Sequence, residues 1–262
     1  MDTLRGKVVV VTGATGGIGR ALCRVLADHG CRLGLLSRTP EKLEKLAIEL
    51  RATGATLSVQ PVDVGDRAAV GAALTAVERE LGQVDVLIHN AGVGLLTDAR
   101  APDLDGFEEM LRVNYLAGVY ALAAVLPSML ERGSGQVVAI SSLGARRALA
   151  WCAGYAASKT ALATYLESLR PALRRHGIRV TTVFPGFVRT AMSEALPFRF
   201  PLPMLSPEAA ARRIVRAIVK GRREASFPWY QAAVMGLLRR LPAWAYDRLM
   251  AAVGRWGVKG EY

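Results

Sequence analysis

A run of valines followed by a glycine-rich turn is the feature of the sequence that most limits the possible folds. Residues 8–11 are all valine, which is typical of a strand buried on both faces of a parallel sheet. Residues 13–19 (GATGGIG) form the turn, and an amphipathic pattern then continues to about His29. Glycines let a backbone approach a pyrophosphate, and the helix N-terminus supplies unpaired amides. The segment therefore predicts a dinucleotide cradle.

Alternating strand and helix patterns continue this unit along the chain. We expect strands at residues 7–12, 32–37, 56–61, 84–88, 135–142, 178–184 and 224–227. We expect helices from the glycine turn to about residue 29, then at 40–52, 66–81, 104–131, 151–176 and 229–240, with a last one to about 253. The alternation predicts an α/β fold: a Rossmann-like doubly wound parallel sheet with helices on both faces, plus a C-terminal amphipathic helical extension.

The composition favours a single folded domain. Apolar residues make up 52% of the 262 residues and charged residues 21%, which is sufficient for a sizeable core. Cys23, Cys31 and Cys152 lack metal-ligand spacing, so we expect reduced thiols, no metal site and a cytoplasmic location. We expect no secretory signal, because Asp2 lies in a short segment that leads directly into a strand. No apolar run reaches the roughly 18 residues that a membrane-spanning helix needs.

Tyr155 and Lys159 have the clearest chemical potential. Four residues apart on a predicted helix, they lie on one face about one turn from each other. A nearby ammonium favours a phenolate, so we expect Lys159 to lower the pKa of Tyr155 from its ordinary value of about 10. Ser142, at a predicted strand end, could hold the same substrate oxygen by hydrogen bonding. Such Tyr–Lys pairs also occur by chance on helix surfaces, so the assignment depends on the accompanying motifs.

The residues after the second predicted strand indicate which nicotinamide cofactor is bound. An acidic residue there would bind the ribose hydroxyls and repel a 2′-phosphate. This chain has Ser37 and Arg38 instead, which favours NADP(H) over NAD(H); alternatively, Arg38 is an ordinary exposed loop residue. Asp63 could accept a hydrogen bond from the adenine amino group, although Asp is also common in loops at strand ends. We expect His89 to be a structural strand-end residue rather than a base.

Together these motifs resemble the short-chain dehydrogenase/reductase family over roughly residues 5–226. Residues 12–19 (TGATGGIG) are similar to the family's cofactor motif, residues 90–92 (NAG) to its sheet-stabilising motif and residues 155–159 (YAASK) to its catalytic motif. Ser142 lies thirteen residues before Tyr155, as the family serine does. The motifs occur in the family's order and at its spacings, which makes the resemblance specific.

Two other branches of this fold are disfavoured. The spacing of Gly13, Gly16 and Gly19 also fits the longer, epimerase-like branch. The shorter chain, the NAG motif and Asn114 favour the short oxidoreductase branch instead. The enoyl reductase branch spaces its Tyr–Lys pair more widely than the four residues found here.

The resemblance implies hydride transfer between NADP(H) and a carbonyl carbon. Tyr155 would protonate the oxygen during reduction, Ser142 would polarise it, and Lys159 would also hold the nicotinamide ribose. The implied catalytic residues are Asn114, which would position a water in a proton relay, Ser142, Tyr155 and Lys159. The implied cofactor-binding residues are Gly13, Thr15, Gly16, Gly17, Ile18, Gly19, Ser37, Arg38, Asp63, Val64, Asn90, Ala91, Gly92, Tyr155, Lys159 and, at the carboxamide, Pro185, Gly186, Val188 and Thr190. The implied substrate-binding residues are Ser142, Leu143, Tyr155 and Phe187.

Residues 191–205 lie where the family has a substrate lid. They are mostly apolar, which suggests a hydrophobic ketone or an acyl chain as substrate. Arg146 and Arg147 could instead bind an anionic head group, or both could simply be solvated. We therefore expect residues 1–228 to form an NADP-binding Rossmann-like catalytic domain that includes this lid, and residues 229–262 to form a helical extension of the same domain.

The C-terminal part departs from the family pattern. It lacks the glycine-rich segment that supports tetramers in many relatives, so we expect a homodimer through the two long helices. Residues 199–262 contain twelve Lys or Arg against four Asp or Glu, which is +8 of the net charge of +12. Such a basic, Trp-bearing tail could contact the inner face of a membrane peripherally, or it could cover its own pocket or a partner subunit. We expect no nucleic acid binding, because no recognisable binding motif is present.

These observations favour an NADP(H)-dependent oxidoreductase that interconverts a ketone or aldehyde and an alcohol, on a hydrophobic or acyl-type small molecule. The alternative is a non-catalytic NADP-binding or membrane-associated interaction protein on the same fold. Fold alone does not separate the two functions, but the presence of Ser142, Tyr155 and Lys159 argues for the enzyme.

Overall fold

Parallel strands form the centre of the structure. The computed structural model describes residues 4–196 and 203–257, and within these ranges it has one seven-stranded sheet. The strands are β1 (Val8–Thr12), β2 (Arg32–Ser37), β3 (Leu57–Pro61), β4 (Val86–His89), β5 (Gly135–Ile140), β6 (Ile178–Pro185) and β7 (Glu224–Phe227). Their order in the sheet is β3-β2-β1-β4-β5-β6-β7, and every neighbouring pair is parallel.

Helices connect successive strands and cover both faces of the sheet, as predicted. In the described ranges they are α1 (Gly17–Asp28), α2 (Pro40–Arg51), α3 (Arg67–Leu81), α4 (Leu104–Leu111), α5 (Ala117–Glu131), α6 (Ala153–Arg175), α7 (Ala191–Glu194), α8 (Pro207–Val219), α9 (Trp229–Arg240) and α10 (Ala243–Gly257). The predicted doubly wound, Rossmann-like fold with a C-terminal helical extension is therefore confirmed.

The valine run of β1 lies between two hydrophobic cores. Val9 and Val11 pack into the core beneath α1, α2 and α8, whereas Val8 and Val10 pack into the core beneath α3, α5 and α6. All four valines are fully buried. Alternate residues of a strand point to opposite faces, so only a strand covered on both sides can be apolar at every position.

The sheet changes direction between β1 and β4. β1 pairs with β2 on one side and β4 on the other, and Thr12 at its carboxyl end lies opposite Leu36 and His89. Crossover connections on the two sides of β1 run in opposite directions, which leaves a crevice outside the carboxyl ends of these strands. The glycine-rich turn follows β1 directly, so it opens into this crevice.

The predicted single helix at 104–131 is instead interrupted. A π-helical segment, Arg112–Leu116, separates α4 from α5, and the Ala117 amide donates to the Arg112 carbonyl five residues earlier. The whole stretch Leu104–Glu131 is long and apolar enough to span a membrane by length and composition, with 44% of its most apolar window buried. Core helices meet the same criteria, and the buried residues of α5 pack onto the sheet.

The strand and helix boundaries near the candidate site also differ from the predictions. β5 ends at Ile140 rather than at residue 142, so Ser141 and Ser142 lie in the following loop. The helix predicted from residue 151 begins at Ala153, because Trp151 has a left-handed backbone conformation with φ of 57°. At the C-terminus, β7 and α9 have the predicted bounds, and α10 continues beyond residue 253.

Candidate active site

Tyr155, Lys159 and Ser142 meet where α6 crosses the carboxyl end of β5. Lys159 is buried, and its Nζ donates to the Ile140 carbonyl at 2.9 Å. The Ser142 hydroxyl is hydrogen bonded to the Tyr155 side chain. The Gly144 amide donates to Ser142 Oγ at 3.1 Å, so the one hydroxyl proton of Ser142 can be donated either to the Tyr155 oxygen or to a substrate oxygen. One phenol and one hydroxyl can therefore share a substrate oxygen.

The pKa of Tyr155 is raised above its ordinary value. Burial is the largest cause, because it disfavours the charged phenolate. The hydrogen bond with Ser142 lowers the pKa, and the neighbouring Cys152 raises it slightly. The prediction that Lys159 would lower this pKa is therefore wrong, because desolvation outweighs the interactions that lower it. Tyr155 is a neutral phenol at neutral pH, which is the form that can donate a proton.

The pKa of Lys159 is lower than that of an exposed lysine. Burial lowers its pKa to about 8 because the ammonium loses its hydration. The hydrogen bond to the Ile140 carbonyl holds the amine at the crevice floor, and the Ser141 hydroxyl donates to the Lys159 carbonyl at 3.1 Å. The Lys159 ammonium is therefore held by the last residue of β5, and its backbone by the first residue of the loop that carries Ser142.

Asn114 lies in the π-helical segment and is fully buried. Its Nδ2 donates to the Val93 carbonyl at 2.8 Å and to Ser158 Oγ at 2.9 Å, and its Oδ1 accepts from the Val93 amide at 2.8 Å. Both amide protons are therefore used, and the side chain joins the loop after β4 to the helix that carries Tyr155 and Lys159. The side chain therefore has no amide proton left for a water, and a water relay could use only an oxygen acceptor of Asn114.

The glycine-rich turn fits a closely approaching dinucleotide. Gly13 has φ of +64°, and a Cβ there would lie 2.7 Å from Ala91 Cα. A Cβ on Gly17 would lie 2.5 Å from Thr190 Cγ2, and one on Gly19 would lie 2.1 Å from the Gly13 carbonyl oxygen. Side chains at these positions would separate the turn, the NAG loop and the segment after β6. These contacts meet the requirements for a pyrophosphate cradle.

The residues after β2 and β3 form the far end of the cradle. Thr15 Oγ1 and Ser37 Oγ are 2.6 Å apart. The Arg38 side chain is 69% exposed, and its ion pair with Glu109 is long, at 3.8 Å. Asp63 accepts from Arg112 at 3.0 Å and from the Gly65 amide at 2.9 Å, so its carboxylate already has protein partners.

A cleft of about 500 Å³ connects these groups. Of the predicted site residues, all line it except Gly19, which packs against Gly13 and Asn90, and Asn114, which supports it from behind. The predicted residues that the cleft brings together are Gly13, Thr15, Gly16, Gly17, Ile18, Ser37, Arg38, Asp63, Val64, Asn90, Ala91, Gly92, Ser142, Leu143, Tyr155, Lys159, Pro185, Gly186, Phe187, Val188 and Thr190.

Two other residues near the cleft remain neutral. His89 is buried, its Nδ1 lies 3.1 Å from Thr12 Oγ1, and burial lowers its pKa to about 3. An imidazole with this pKa is uncharged at neutral pH. Its contact with Thr12 joins the ends of β4 and β1, in agreement with the structural role predicted for it. Cys152 lines the cleft, and burial raises the pKa of its thiol to about 11, so it is not a thiolate at neutral pH.

Sequence reasoning missed a second group of lining residues. The C-terminal helix α9 contributes Gln231, Val234 and Met235 to the cleft, and the loop after β4 contributes Leu95 and Leu96. The sequence left open whether the C-terminal helices cover the protein's own pocket, a partner subunit or a membrane; α9 does line the cleft, but the individual lining residues were not predicted. Contacts between segments this distant in the chain leave no signal in one sequence.

Arg146 and Arg147 hold the C-terminal elements in place. Arg146 forms an ion pair with Glu224 of β7 and lies 3.7 Å above the Phe184 ring. The Arg147 guanidinium lies 3.8 Å above the Tyr246 ring of α10. Neither side chain is simply solvated, and their partners are protein groups, which argues against the head-group role considered for them.

The lid region is described only at its two ends. Its first residues form α7, whose Thr190 cap accepts from the Ser193 amide while the Ser193 hydroxyl accepts from the Thr190 amide. Met192 and Leu196 line the cleft. The predicted lid residues 197–202 lie outside the described residues.

Comparison with solved structures finds the same fold in two oxidoreductases. The chain superposes on levodione reductase with a TM-score of 0.80, at 25% identity, covering 88% of this chain and 99% of that one. It superposes on an NAD⁺-bound xylitol dehydrogenase with a TM-score of 0.77, at 24% identity, covering 86% and 98%. The second likeness is one of fold alone.

Sequence comparison gives the same result. An uncharacterised oxidoreductase of Myxococcus xanthus is 36% identical over 94% of this chain and 97% of its own length. A fatty acyl-CoA reductase of Acinetobacter baylyi is 33% identical over 84% of this chain and 75% of its own length. Residues 7–198 match the family model described as short chain dehydrogenase. With its assembled Ser–Tyr–Lys site and glycine cradle, the chain therefore belongs to the short-chain dehydrogenase/reductase family of oxidoreductases.

Proposed function

We propose that this protein is an NADP(H)-dependent oxidoreductase that interconverts a ketone or aldehyde and the corresponding alcohol. One observation carries the proposal: the Tyr155 phenol and the Ser142 hydroxyl lie in the same cleft as the glycine turn. A proton donor and a hydride-donor site in one cleft are what carbonyl reduction needs. The role of each residue remains a proposal.

The bound nicotinamide supplies hydride chemistry, and the residues of the chain supply binding and proton transfer. Ser142 donates to the carbonyl oxygen and stabilises the negative charge that develops on it. Tyr155 donates the proton to the same oxygen, which its raised pKa permits because the phenol is neutral before transfer. Lys159 holds the ribose with its fixed ammonium, and Asn114 keeps α6 and the loop after β4 in register.

Preference for NADP(H) is the second part of the proposal. The guanidinium of Arg38 is well exposed at the cradle's far end, and its long ion pair leaves it available to a 2′-phosphate. Ser37, rather than an acidic residue, ends β2. The xylitol dehydrogenase of similar fold binds NAD⁺. That cofactor belongs to the other protein, and the charge at residues 37 and 38 supports the opposite preference here.

An apolar or acyl-type substrate is the third part. The cleft beyond Tyr155 is lined mainly by hydrocarbon side chains, which are Leu95, Leu96, Leu149, Met192, Leu196, Val234 and Met235. Such a lining disfavours polar substrates because their hydroxyls would lose water without gaining partners. A relative named fatty acyl-CoA reductase is consistent with a long-chain carbonyl compound.

We also propose a cytoplasmic homodimer with peripheral contact to the inner face of a membrane. The long helices remain the proposed subunit contact, supported by exposed Leu104 and Phe107 on α4 and Leu130 on α5. The C-terminal helices expose Trp229 (80%) and Trp244 (69%) together with a basic surface. Tryptophan beside arginine suits an anionic interface. A purely non-catalytic binding protein is disfavoured, because the Ser–Tyr–Lys set is complete.

A panel of carbonyl compounds tests the proposal directly. Purified protein is mixed with NADPH or, in parallel, NADH, and loss of absorbance of the reduced cofactor is followed with aliphatic aldehydes, long-chain ketones, acyl thioesters and small sugars. We expect NADPH consumption with long-chain carbonyls. Turnover restricted to sugars would exclude the apolar substrate, and a clear preference for NADH would exclude the NADP(H) assignment.

A further inference from the structure

Gln231 is a buried polar residue of the C-terminal extension that lines the active-site cleft. It lies in the first turn of α9, and only 2% of the residue is exposed. Burial of an amide side chain destabilises a protein unless its hydrogen bonds are made, so its partners are informative. Both ends of this side chain are hydrogen bonded to backbone groups.

The two backbone partners of Gln231 lie sixteen residues apart in the chain, Phe187 before the predicted lid and Pro203 near its end. Its Oε1 accepts from the Phe187 amide at 2.8 Å, just before the lid, and its Nε2 donates to the Pro203 carbonyl at 2.9 Å, just after residues 197–202. The hydroxyl of Tyr230 donates to the same Pro203 carbonyl at 2.8 Å. One turn of α9 therefore links Phe187 to Pro203.

The same two ends also pair with each other. The Leu205 amide donates to the Phe187 carbonyl at 3.1 Å, and the Arg189 amide donates to the Leu205 carbonyl at 2.9 Å. Val188 and Leu205 form an isolated parallel bridge. Gln231 adds two side-chain hydrogen bonds to this bridge, so residues 187–189 and 203–205 are held side by side.

Gln231 also contacts the segment proposed to bind the nicotinamide carboxamide. A Cβ on Gly186 would lie 2.0 Å from Gln231 Oε1, so the glycine makes room for this oxygen. The Gly186 amide donates to the Phe227 carbonyl of β7 at 2.7 Å. The path of residues 185–187 is thus set from one side by β7 and from the other by Gln231.

We propose that Gln231 is a positioning residue of the reaction: it aligns residues 185–187 with the nicotinamide and holds them against Pro203. The C-terminal extension is then part of the active site rather than an appended surface. This inference rests on the proposed function, which identifies residues 185–187 as a cofactor contact. The hydrogen bonds of Gln231 do not depend on that function.

Two substitutions separate the contact with Phe187 from the contacts with Pro203. Gln231→Met keeps the length but removes both hydrogen bonds, and Tyr230→Phe removes only the second bond to Pro203. For Gln231→Met we expect NADPH to bind about tenfold more weakly, because the Phe187 amide loses its partner, and we expect a higher KM for the carbonyl substrate. For Tyr230→Phe we expect an increase of about threefold in KM, with NADPH affinity unchanged.

The controls separate positioning from general stability and from the enzyme assignment. Gln60→Met, at a partly buried glutamine on β3 outside the cleft, should leave both quantities unchanged.

Cofactor affinity is measured by fluorescence titration with NADPH, or with NADH if wild type binds that instead. If wild type binds cofactor but reduces no carbonyl, the proposed function fails while the effect on affinity still tests Gln231. If Gln231→Met does not fold, Gln231→Asn, too short to reach both partners, replaces it. A folded variant with unchanged cofactor affinity and KM overturns the proposal.

Discussion

Lys159 donates from its buried Nζ to the carbonyl oxygen of Ile140 at 2.9 Å, at the point where β5 ends. This contact fixes the amine beneath the cleft and removes it from bulk water. The pKa of the amine falls to about 8 as a result. A lysine that titrates close to neutral pH makes the site sensitive to alkaline conditions.

The first prediction concerns this titration. As pH rises from 7 to 9, a lysine with a pKa of about 8 changes from about nine-tenths to about one-tenth charged. The value of kcat/KM for NADPH should fall through this range, because that quantity reports groups in the free enzyme. Lys159→Arg keeps the positive charge to higher pH. Its kcat/KM should therefore not fall between pH 7 and 9, even if its turnover is slower than that of wild type. A flat wild-type profile to pH 9.5 would contradict the assignment.

The second prediction concerns cofactor choice. Replacing Arg38 with Glu reverses the charge at the cradle's far end. Arg38 is well exposed and only loosely paired with Glu109, so the substitution should disturb few protein contacts. We expect kcat/KM for NADPH to fall about 100-fold while that for NADH changes little, because a charged hydrogen bond contributes about 1.5–3 kcal/mol and repulsion adds to its loss. Arg51→Glu, at the exposed end of α2, is the matched control. Equal loss with both cofactors would indicate a structural role for Arg38.

Much of the fold could be predicted because it depends on local patterns. The valine run required a strand covered on both faces, and the glycine turn required a helix behind it. The bounds of β7 and α9 were predicted, α9 with the help of the helical spacing of its apolar residues, whereas α8 was not predicted as a helix. The π-helical turn at Asn114 could not be predicted, because it depends on partners from the loop after β4 and from α6.

The main residues of the site could be predicted from the sequence, but the direction of the Tyr155 pKa shift could not. Motif spacing brought Ser142, Tyr155 and Lys159 together correctly. The direction of the Tyr155 pKa shift was wrong, because spacing gives proximity but not the degree of burial that opposes a phenolate. Gln231 was missed because its partners are 28 and 44 residues away in the chain.

The third prediction concerns the glycine cradle. Gly19→Ala should destabilise the protein by about 2–4 kcal/mol, because its Cβ would lie 2.1 Å from the backbone oxygen of Gly13, which cannot move independently. Gly71→Ala is the control: no atom lies within 4 Å of the new Cβ in α3, so we expect a gain of about 0.5–1 kcal/mol. Urea denaturation measures both values. Equal stability of the two variants would contradict the close packing described.

The fourth prediction concerns the C-terminal surface. Replacing both Trp229 and Trp244 with Ser should reduce binding to vesicles of mixed zwitterionic and anionic phospholipid by at least tenfold at low salt, because both side chains are largely exposed and available to insert. Ile48→Ser, at an apolar residue exposed on α2, should leave binding unchanged.

Charge reversal tests the same surface independently. Arg239 and Arg240 lie in the last turn of α9, as Arg174 and Arg175 do in α6. Reversing the first pair to Glu should weaken vesicle binding by about 2 kcal/mol or more, whereas reversing the second should not. If wild-type protein stays in the supernatant with anionic vesicles, membrane contact is excluded.

Substitution of Tyr155 by Phe is the most direct measurement of the central claim that a single buried phenol supplies the proton for carbonyl reduction. The change removes one oxygen atom and leaves the ring. We predict that NADPH binding, measured by fluorescence, stays within about threefold of wild type, while turnover of the best carbonyl substrate falls by about 10³. Reduction at an undiminished rate would contradict the account.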